Sequence, residues 1–281
     1  MPAPGPALYP DAGIQTGCEF QVPGIMKRNI KLVIEYDGTA YHGWQSQDNA
    51  VTVQDTLTAA VRRLTGENCS LTGSSRTDTG VHALGFVCNF FTGSPIPADK
   101  FSFALNTMLP DDIRVVSSEE VPHDFHSRFS AKGKKYLYYI YNSTFASALL
   151  RHRAYHVYYP LDVDEMDKAA KYLIGTHDFL AFSASGYSAK TTVRTIMEAT
   201  VSRVSQAQHF VHPKDGQLIE FSVTGNGFLY NMVRIMAGTL VEVGFGKLRA
   251  EDIPYIMESL DRRRAGRTAP AHGLYLAEVY Y

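Results

Sequence analysis

The chain has few cysteines and no long hydrophobic run. Of its 281 residues, only Cys18, Cys69 and Cys88 are cysteines, and none belongs to a C-x-x-C pair. This scarcity argues against a disulfide-stabilised fold and a cysteine-ligated zinc site, and it favours a reducing compartment. No apolar run has transmembrane length, and no basic segment leads into an apolar signal-like segment. We therefore expect a cytoplasmic protein that has no contact with a membrane.

Two further absences narrow the chemistry. The formal net charge is −1, so any binding of nucleic acid must depend on local basic patches. The sequence contains no P-loop, dinucleotide-binding or zinc motif. His123 and His126 are three residues apart, but no further His or Cys lies close to them in sequence. We expect neither a metal nor a cofactor.

The apolar periodicity that begins near residue 26 predicts an α+β fold. Thr52 and Asp55 form a capping-box-like helix start, and Gly66 ends that helix. The first half has the order β-α-β-β-α-β, which is typical of a ferredoxin-like unit. Its predicted elements are strands at 30–36, 69–72, 82–91 and 113–117, and helices at 53–64 and 101–108.

The second half repeats this theme with insertions. The periodicity predicts helices at 163–173, 229–243 and 253–260, and strands at 136–141, 194–204, 217–224 and 274–280, with a hairpin at 213–216. Two similar halves predict a pseudo-symmetric antiparallel sheet with a central cleft, where a ligand can bind. The expected segments are a flexible N-terminal extension (1–25), an N-terminal half (26–130) and a C-terminal half (131–281).

The most informative segment is the run from Ser74 to Ala83. It places an arginine, several hydroxyls and one carboxylate, Asp78, in a turn that leads into a strand. His82 and every second residue to Phe90 are predicted to share one face of that strand. A loop beside a strand can hold a side chain out toward a ligand. Taken alone, most strings of this kind are better explained by an Asx-turn with a nearby ion pair.

The segment Arg76–Ala83 resembles the Gly-Arg-Thr-Asp-x-Gly-Val-His-Ala signature of the TruA family of tRNA pseudouridine synthases. Ser75 departs from that signature, where glycine is usual. Other segments resemble further motifs of the family in the same order, with Ala271 in place of a second proline. They are Tyr36–Gln45, Lys134–Tyr138, Gly175–Phe179, Gly227–Arg234 and Ala269–Leu274.

The resemblance implies roles for particular residues. Asp78 is the expected catalytic nucleophile, and Arg234 is expected to hold it. A lone arginine in a helix that is apolar nearly all round is costly unless paired, although a purely structural ion pair would also satisfy it. Tyr136 is expected to stack on the target base or deprotonate it, and core packing is the alternative. The expected substrate-binding residues are Arg76, Thr77, His82 and Tyr136.

The resemblance also implies the reaction: isomerisation of uridines 38, 39 and 40 in the tRNA anticodon arm to pseudouridine, by a homodimer. Whether Asp78 attacks ribose C1′, attacks base C6 or removes a ribose proton stays open. An RNA-binding protein without catalysis, such as a tRNA-folding chaperone, and an enzyme acting on other uridines are the alternatives.

Four basic clusters could follow RNA phosphates, although any one of them is also typical of a solvated surface. They are Arg62-Arg63, Arg128 with Lys132, Lys134 and Lys135, Arg151–Arg153, and Arg262–Arg264 with Arg267. The run around Arg262–Arg267 is consistent with either a flexible loop or a grip on the RNA backbone.

Overall fold

The computed structural model of the chain describes residues 27–186, 190–205, 211 and 214–281. The expected extension (1–25) and Pro213 of the expected hairpin lie outside these residues. In the first half the elements are β1 (Arg28–Tyr36), α1 (Val53–Thr65), β2 (Thr72–Gly73), β3 (His82–Thr92), α2 (Phe101–Asn106) and β4 (Ile113–Val121). In the second half they are β5 (Gly133–Asn142), β6 (Tyr155–Val157), α3 (Val163–Lys171), β7 (Gly175–Asp178), β8 (Val193–Arg203), β9 (Gln217–Gly225), α4 (Met232–Gly244), α5 (Asp252–Ser259) and β10 (Leu274–Tyr280).

In the described residues the strands form one mixed sheet with the order β4-β1-β3-β10-β5-β9-β8-β7, while β2 pairs with β3 and β6 with β5. Most pairs are antiparallel, but β10 runs parallel to β3, and β6 runs parallel to β5. The prediction of an antiparallel sheet was therefore wrong in this detail. The reason is that the C-terminal strand returns to the middle of the sheet, where it joins the two halves.

The early elements form for the reasons that the sequence gives. Ile30, Leu32 and Ile34 alternate along β1, and each is fully buried. The side chain of Thr52 accepts a hydrogen bond from the Asp55 amide at the start of α1. Gly66 ends α1 in the left-handed conformation, with φ of +75°, which glycine adopts without strain. Alternation and capping therefore determine this part of the fold locally.

Strand β3 departs from regular alternation at its beginning. Phe86 and Phe90 are buried as predicted, whereas Leu84 is 41% exposed and Ala83 is buried. The register between β1 and β3 shifts opposite Ile34 and Tyr36. Such an irregularity moves side chains to the other face of a strand, so the predicted single face is wrong at this end. The irregular end lies next to the loop that carries Asp78.

Other elements also differ from the predictions. Helix α4 begins at Met232 rather than at 229 because Asn231 has a left-handed φ of 59°. Strand β2 is reduced to Thr72–Gly73. Strands β6 and β7 were missed, since three or four residues carry too little periodicity to indicate a strand. Among the described helices, none has the length and apolar character that crossing a bilayer requires.

Candidate active site

The loop from Ser74 to Val81 is held by close backbone contacts with the segment that follows β1. The amide of Trp44 donates to the Thr77 carbonyl oxygen (3.3 Å), and the amide of Gly80 donates to that of Tyr41 (3.3 Å). Gly43 has a φ of +83°, and a Cβ at this position would overlap the Thr77 carbonyl oxygen. The Tyr36–Gln45 segment therefore packs against the loop and fixes its backbone on either side of Asp78.

Asp78 and Arg234 form an ion pair across the two halves. Arg234 Nη1 lies 3.2 Å from Asp78 Oδ2, and the side chains are 18% and 31% exposed respectively. The same Nη1 donates to Asn231 Oδ1 (2.7 Å), and Nε donates to the Ala269 carbonyl oxygen (2.8 Å). The guanidinium thus contacts one carboxylate oxygen and anchors itself on two other groups. Asp78 remains partly accessible to solvent.

The C-terminal segment before β10 fixes the position of Arg234. The Ala269 amide donates to the Arg234 carbonyl oxygen (3.0 Å), so the two residues bond to each other twice. Gly238 lies so close to this segment that a Cβ would overlap the Arg267 carbonyl oxygen. The Gly266 amide donates to Thr239 Oγ1 (2.9 Å). Small residues on α4 therefore let the segment pack directly against the helix that carries Arg234.

Sheet register places Tyr136 beside this pair. Leu276 on β10 pairs with both Ala83 on β3 and Tyr136 on β5. The Tyr136 hydroxyl lies 3.3 Å from Ser75 Oγ, and its ring meets Phe228 edge to face at 5.0 Å. Burial raises the pKa of Tyr136 to about 12; the hydrogen bond with Ser75 opposes this rise, and the Asp78 carboxylate adds to it. The phenol is therefore protonated at neutral pH.

The other expected substrate-binding residues lie in different environments. Arg76 is exposed, and its guanidinium forms no hydrogen bond or ion pair with the part of the chain that the structure describes. Thr77 is buried, and its hydroxyl lies 2.9 Å from the Tyr36 hydroxyl. His82 is only 2% exposed. Only Arg76 of these three therefore has its side chain free in solvent.

His82 connects three parts of the chain. Its Nδ1 accepts a hydrogen bond from the Gly38 amide (3.1 Å) and lies 3.0 Å from Asp37 Oδ1. Its Nε2 lies 3.2 Å from the His272 carbonyl oxygen. Burial lowers the pKa of His82, although the Asp37 carboxylate opposes this. A neutral ring with its proton on Nε2 satisfies both backbone contacts.

Sequence reasoning missed three groups at the site: the Asn231 side chain, the Ala269 carbonyl and the Ser75 hydroxyl. Asn231 precedes Arg234 by three residues, a spacing at which side chains on a helix meet, so its sequence position carried a signal. The Ala269 contact had no signal in the sequence, because every residue type has a backbone carbonyl. Ser75 was noticed only as a departure from the resemblance.

The basic clusters prove heterogeneous. Arg62 and Arg63 are exposed at the end of α1. Arg153 pairs with Asp37 (2.7 Å). Arg262 turns inward, donating to the Ala265 carbonyl oxygen (3.3 Å) and Thr268 Oγ1 (3.1 Å). The segment Arg262–Arg264 forms a 3-10 turn.

The described residues contain no cluster of three or more His, Cys, Asp or Glu side chains that could hold a metal ion. Cys69 and Cys88 are buried free thiols, and Cys18 lies outside the described residues. The chemistry available at the site is therefore that of a carboxylate, a guanidinium and a phenol: nucleophilic attack, charge stabilisation and proton transfer.

The chain also matches known proteins over most of its length. The family model described as tRNA pseudouridine synthase matches residues 32–130 and 169–281, so the chain belongs to this family of isomerases. It is 61% identical to tRNA pseudouridine synthase A of Acetivibrio thermocellus over 254 residues, which cover 90% of this chain and all of the relative. The corresponding enzymes of Ruminiclostridium cellulolyticum and a Thermoanaerobacter species are 56% and 51% identical with the same coverage.

Proposed function

We propose that this chain isomerises uridines 38, 39 and 40 of the tRNA anticodon arm to pseudouridine, with Asp78 as the nucleophile. The observation that carries the proposal is the contact between Asp78 and Arg234 beside Tyr136 in a member of this family. The relatives named above are tRNA pseudouridine synthases, which supports tRNA as the substrate. The specific positions rest on the sequence resemblance.

The proposed reaction starts with base flipping, because a stacked base hides its glycosidic bond. Extruding it costs a few kcal/mol, and the exposed Arg76 is the residue we assign to the extruded nucleotide or to the gap it leaves. Asp78 then acts on the nucleoside, and the C1′–N1 bond breaks. The freed uracil turns, a C1′–C5 bond forms and C5 loses its proton while N1 gains one. Substrate and product are isomers, so no redox partner or group donor is consumed.

Arg234 orients Asp78 in this scheme, with its Nη1 3.2 Å from Asp78 Oδ2. A guanidinium held beside the carboxylate fixes the direction from which the nucleophile reaches the nucleoside. We assign supporting roles to the buried Thr77 and His82, since both side chains bond to other parts of the protein. Their expected contribution to substrate binding is then indirect, through the position of the loop between them.

Tyr136 is proposed to hold the base and to take part in removing the C5 proton. With a pKa of about 12, only about one phenol in 10⁵ is ionised at pH 7. Tyr136 therefore does not act as a base that is already deprotonated before the reaction. It can accept the C5 proton while passing its own to Ser75 Oγ, 3.3 Å away, provided that the Ser75 hydroxyl hands its proton on to solvent or to uracil N1, which gains one in the reaction.

Replacing Tyr136 with phenylalanine is expected to lower kcat about 10²-fold, the lower end of what acid–base groups contribute. The affinity for tRNA should change less than twofold, because the ring and its contact with Phe228 remain. Single-turnover rates and binding measurements on Tyr136→Phe check this. A rate within threefold of the wild type would leave the ring as a stacking surface only.

The architecture supports two equivalent halves, which we propose as the 26–130 and 131–281 units. In the first, β4-β1-β3 are adjacent and β2 pairs with β3; in the second, β10-β5-β9-β8 are adjacent. When the strands of each half are counted in chain order, both halves have the order 4-1-3-2, which is typical of a ferredoxin-like unit. The cleft between them would hold the substrate.

A homodimer and a cytoplasmic location complete the proposal. The homodimer rests on the family resemblance. The cytoplasmic location fits the buried free thiols and a tRNA substrate.

The test is site-resolved pseudouridine mapping on unmodified tRNA transcripts incubated with purified protein. Conversion at positions 38 to 40 by the wild type, and none by Asp78→Ala, is the expected result. Matched transcripts with cytidine at those three positions should show no conversion. Conversion elsewhere would contradict the assigned positions, and tight binding without conversion would favour an RNA-binding protein that lacks catalysis.

A further inference from the structure

Two cations, Arg128 and Lys134, lie near each other close to Tyr136 on β5. Lys134 precedes Tyr136 by two residues on β5, whose pairing with β9 is regular there, so both side chains project from the same face, roughly 6.6 Å apart along the strand. Arg128 lies close enough to Lys134 to lower its pKa. In the described part of the chain, neither residue has a carboxylate within ion-pair distance.

Ser127, the residue before Arg128, makes three hydrogen bonds to other segments of the chain. The Ser127 amide donates to Asn89 Oδ1 (3.0 Å), and Ser127 Oγ donates to the Thr72 carbonyl oxygen (2.6 Å). The Tyr281 hydroxyl donates to the Ser127 carbonyl oxygen (2.7 Å). Since all polar groups of Ser127 are bonded, the backbone next to Arg128 is anchored to three other segments of the chain.

No carboxylate of the described residues forms an ion pair with Arg128 or Lys134. Burial, with a smaller contribution from the Arg128 guanidinium, lowers the pKa of Lys134 to about 8. Lys134 is half-buried and Arg128 is exposed. Their like charges repel each other, and an anion bound by both relieves the repulsion and the desolvation cost of Lys134. Lys and Arg side chains that converge in this way are typical of phosphate binding.

An exposed aromatic ring next to the pair indicates the source of the phosphate. Phe129 is 76% exposed, with the Arg128 guanidinium 5.6 Å from its ring centre and the His126 ring at 4.3 Å. Aromatic rings beside cations bind unpaired nucleotides, the rings by stacking on bases and the cations through the backbone. A free phosphate ion has no base that could stack on such a ring.

We propose that Arg128 and Lys134 form a phosphate subsite for the RNA phosphodiester that flanks the target uridine. The inference rests on the proposed function, because the base held at Tyr136 brings that phosphodiester within reach. Lys135, the next residue, projects from the opposite face of β5 and lies outside the subsite. The structure thus separates two lysines that the sequence places in one basic cluster.

The first test compares Lys134→Gln with the matched variant Lys135→Gln. Lys134→Gln is expected to weaken tRNA affinity about tenfold and to reduce the slope of log K against log salt by about 0.7 to 0.9. KM should rise, while kcat should stay within twofold of the wild-type value. Lys135→Gln should change affinity less than twofold, and melting temperatures establish that both variants fold. Equal effects of the two variants, or no effect of Lys134→Gln, would overturn the subsite.

The second test uses pH. Because the pKa of Lys134 in the free protein is about 8, its ammonium is largely present below pH 8 and is lost above it. The tRNA Kd of the wild type should rise about fivefold between pH 7 and pH 8.8, whereas Lys134→Arg, which stays charged, should show less than a twofold change. The other titratable groups on the elements around Lys134 are shared by both proteins. They are Arg128, Tyr136, Asp78, Glu278 and Tyr280.

These results separate the subsite from the proposed function. If the wild type converts uridine but Lys134→Gln binds tRNA normally, the function stands and the subsite falls. If no conversion occurs while Lys134→Gln alone weakens RNA binding, the subsite stands and the function falls. Binding of inorganic phosphate that depends on Lys134, without any change in RNA affinity, would overturn the assignment to RNA.

Discussion

Replacing Asp78 with alanine is expected to lower the rate of pseudouridine formation at least ~10³-fold, because no other group can replace a lost nucleophile. No second carboxylate contacts Arg234 in the described residues. Affinity for tRNA should be unchanged or slightly higher, since binding rests on phosphate contacts and the substitution removes a negative charge. Single-turnover rates and filter-binding measurements on the same preparations give both quantities.

Two variants control for indirect effects of the Asp78 substitution. Asp78→Asn keeps the size and polarity of the side chain but cannot act as a carboxylate, so it should be as inactive as Asp78→Ala. Asp99→Ala removes an exposed acid whose ion partner is its neighbour Lys100, and it should keep the wild-type rate. A tenth of the wild-type rate in Asp78→Asn would remove Asp78 from the nucleophilic role.

Replacing Arg234 with lysine is expected to reduce kcat ~10²- to 10³-fold with a smaller change in KM. The guanidinium donates at once to Asp78, Asn231 and the Ala269 carbonyl, and a single ammonium cannot reproduce that planar arrangement. A lysine can keep a positive charge near Asp78 but not a fixed orientation. Small displacements of a reacting group are costly in rate.

A surface pair of the same type provides the control. Arg263 pairs with Asp261 at 2.7 Å and is largely exposed, so Arg263→Lys should retain activity within twofold. Arg234→Ala adds a second readout, since millimolar guanidinium should restore part of the rate while ammonium should not. Equal kinetics of Arg234→Lys and the wild type, with only a lower melting temperature, would make Arg234 a structural residue.

Local patterns predicted much of the fold, and their failures have physical causes. Strand β1, helix α1 with its caps and strand β10 were predicted within a residue or two, since alternation and capping are encoded in neighbouring residues. The boundary at Asn231 was missed because its left-handed backbone depends on contacts made by α4. The regular face predicted for β3 failed where its pairing with β1 shifts register, which no single strand can reveal.

The sequence by itself determined the alternation and capping of the elements and the residue types that could carry chemistry: Asp78 in a hydroxyl-rich turn, a lone arginine in an apolar helix, and a tyrosine on a strand. The tertiary structure alone decided that these groups meet. Asp78 and Arg234 are 156 residues apart, and they touch because β10 enters the sheet between β3 and β5. It also decided that Lys134 lies near Arg128. Periodicity specifies the face of a single element, but distances between elements depend on how the whole chain packs.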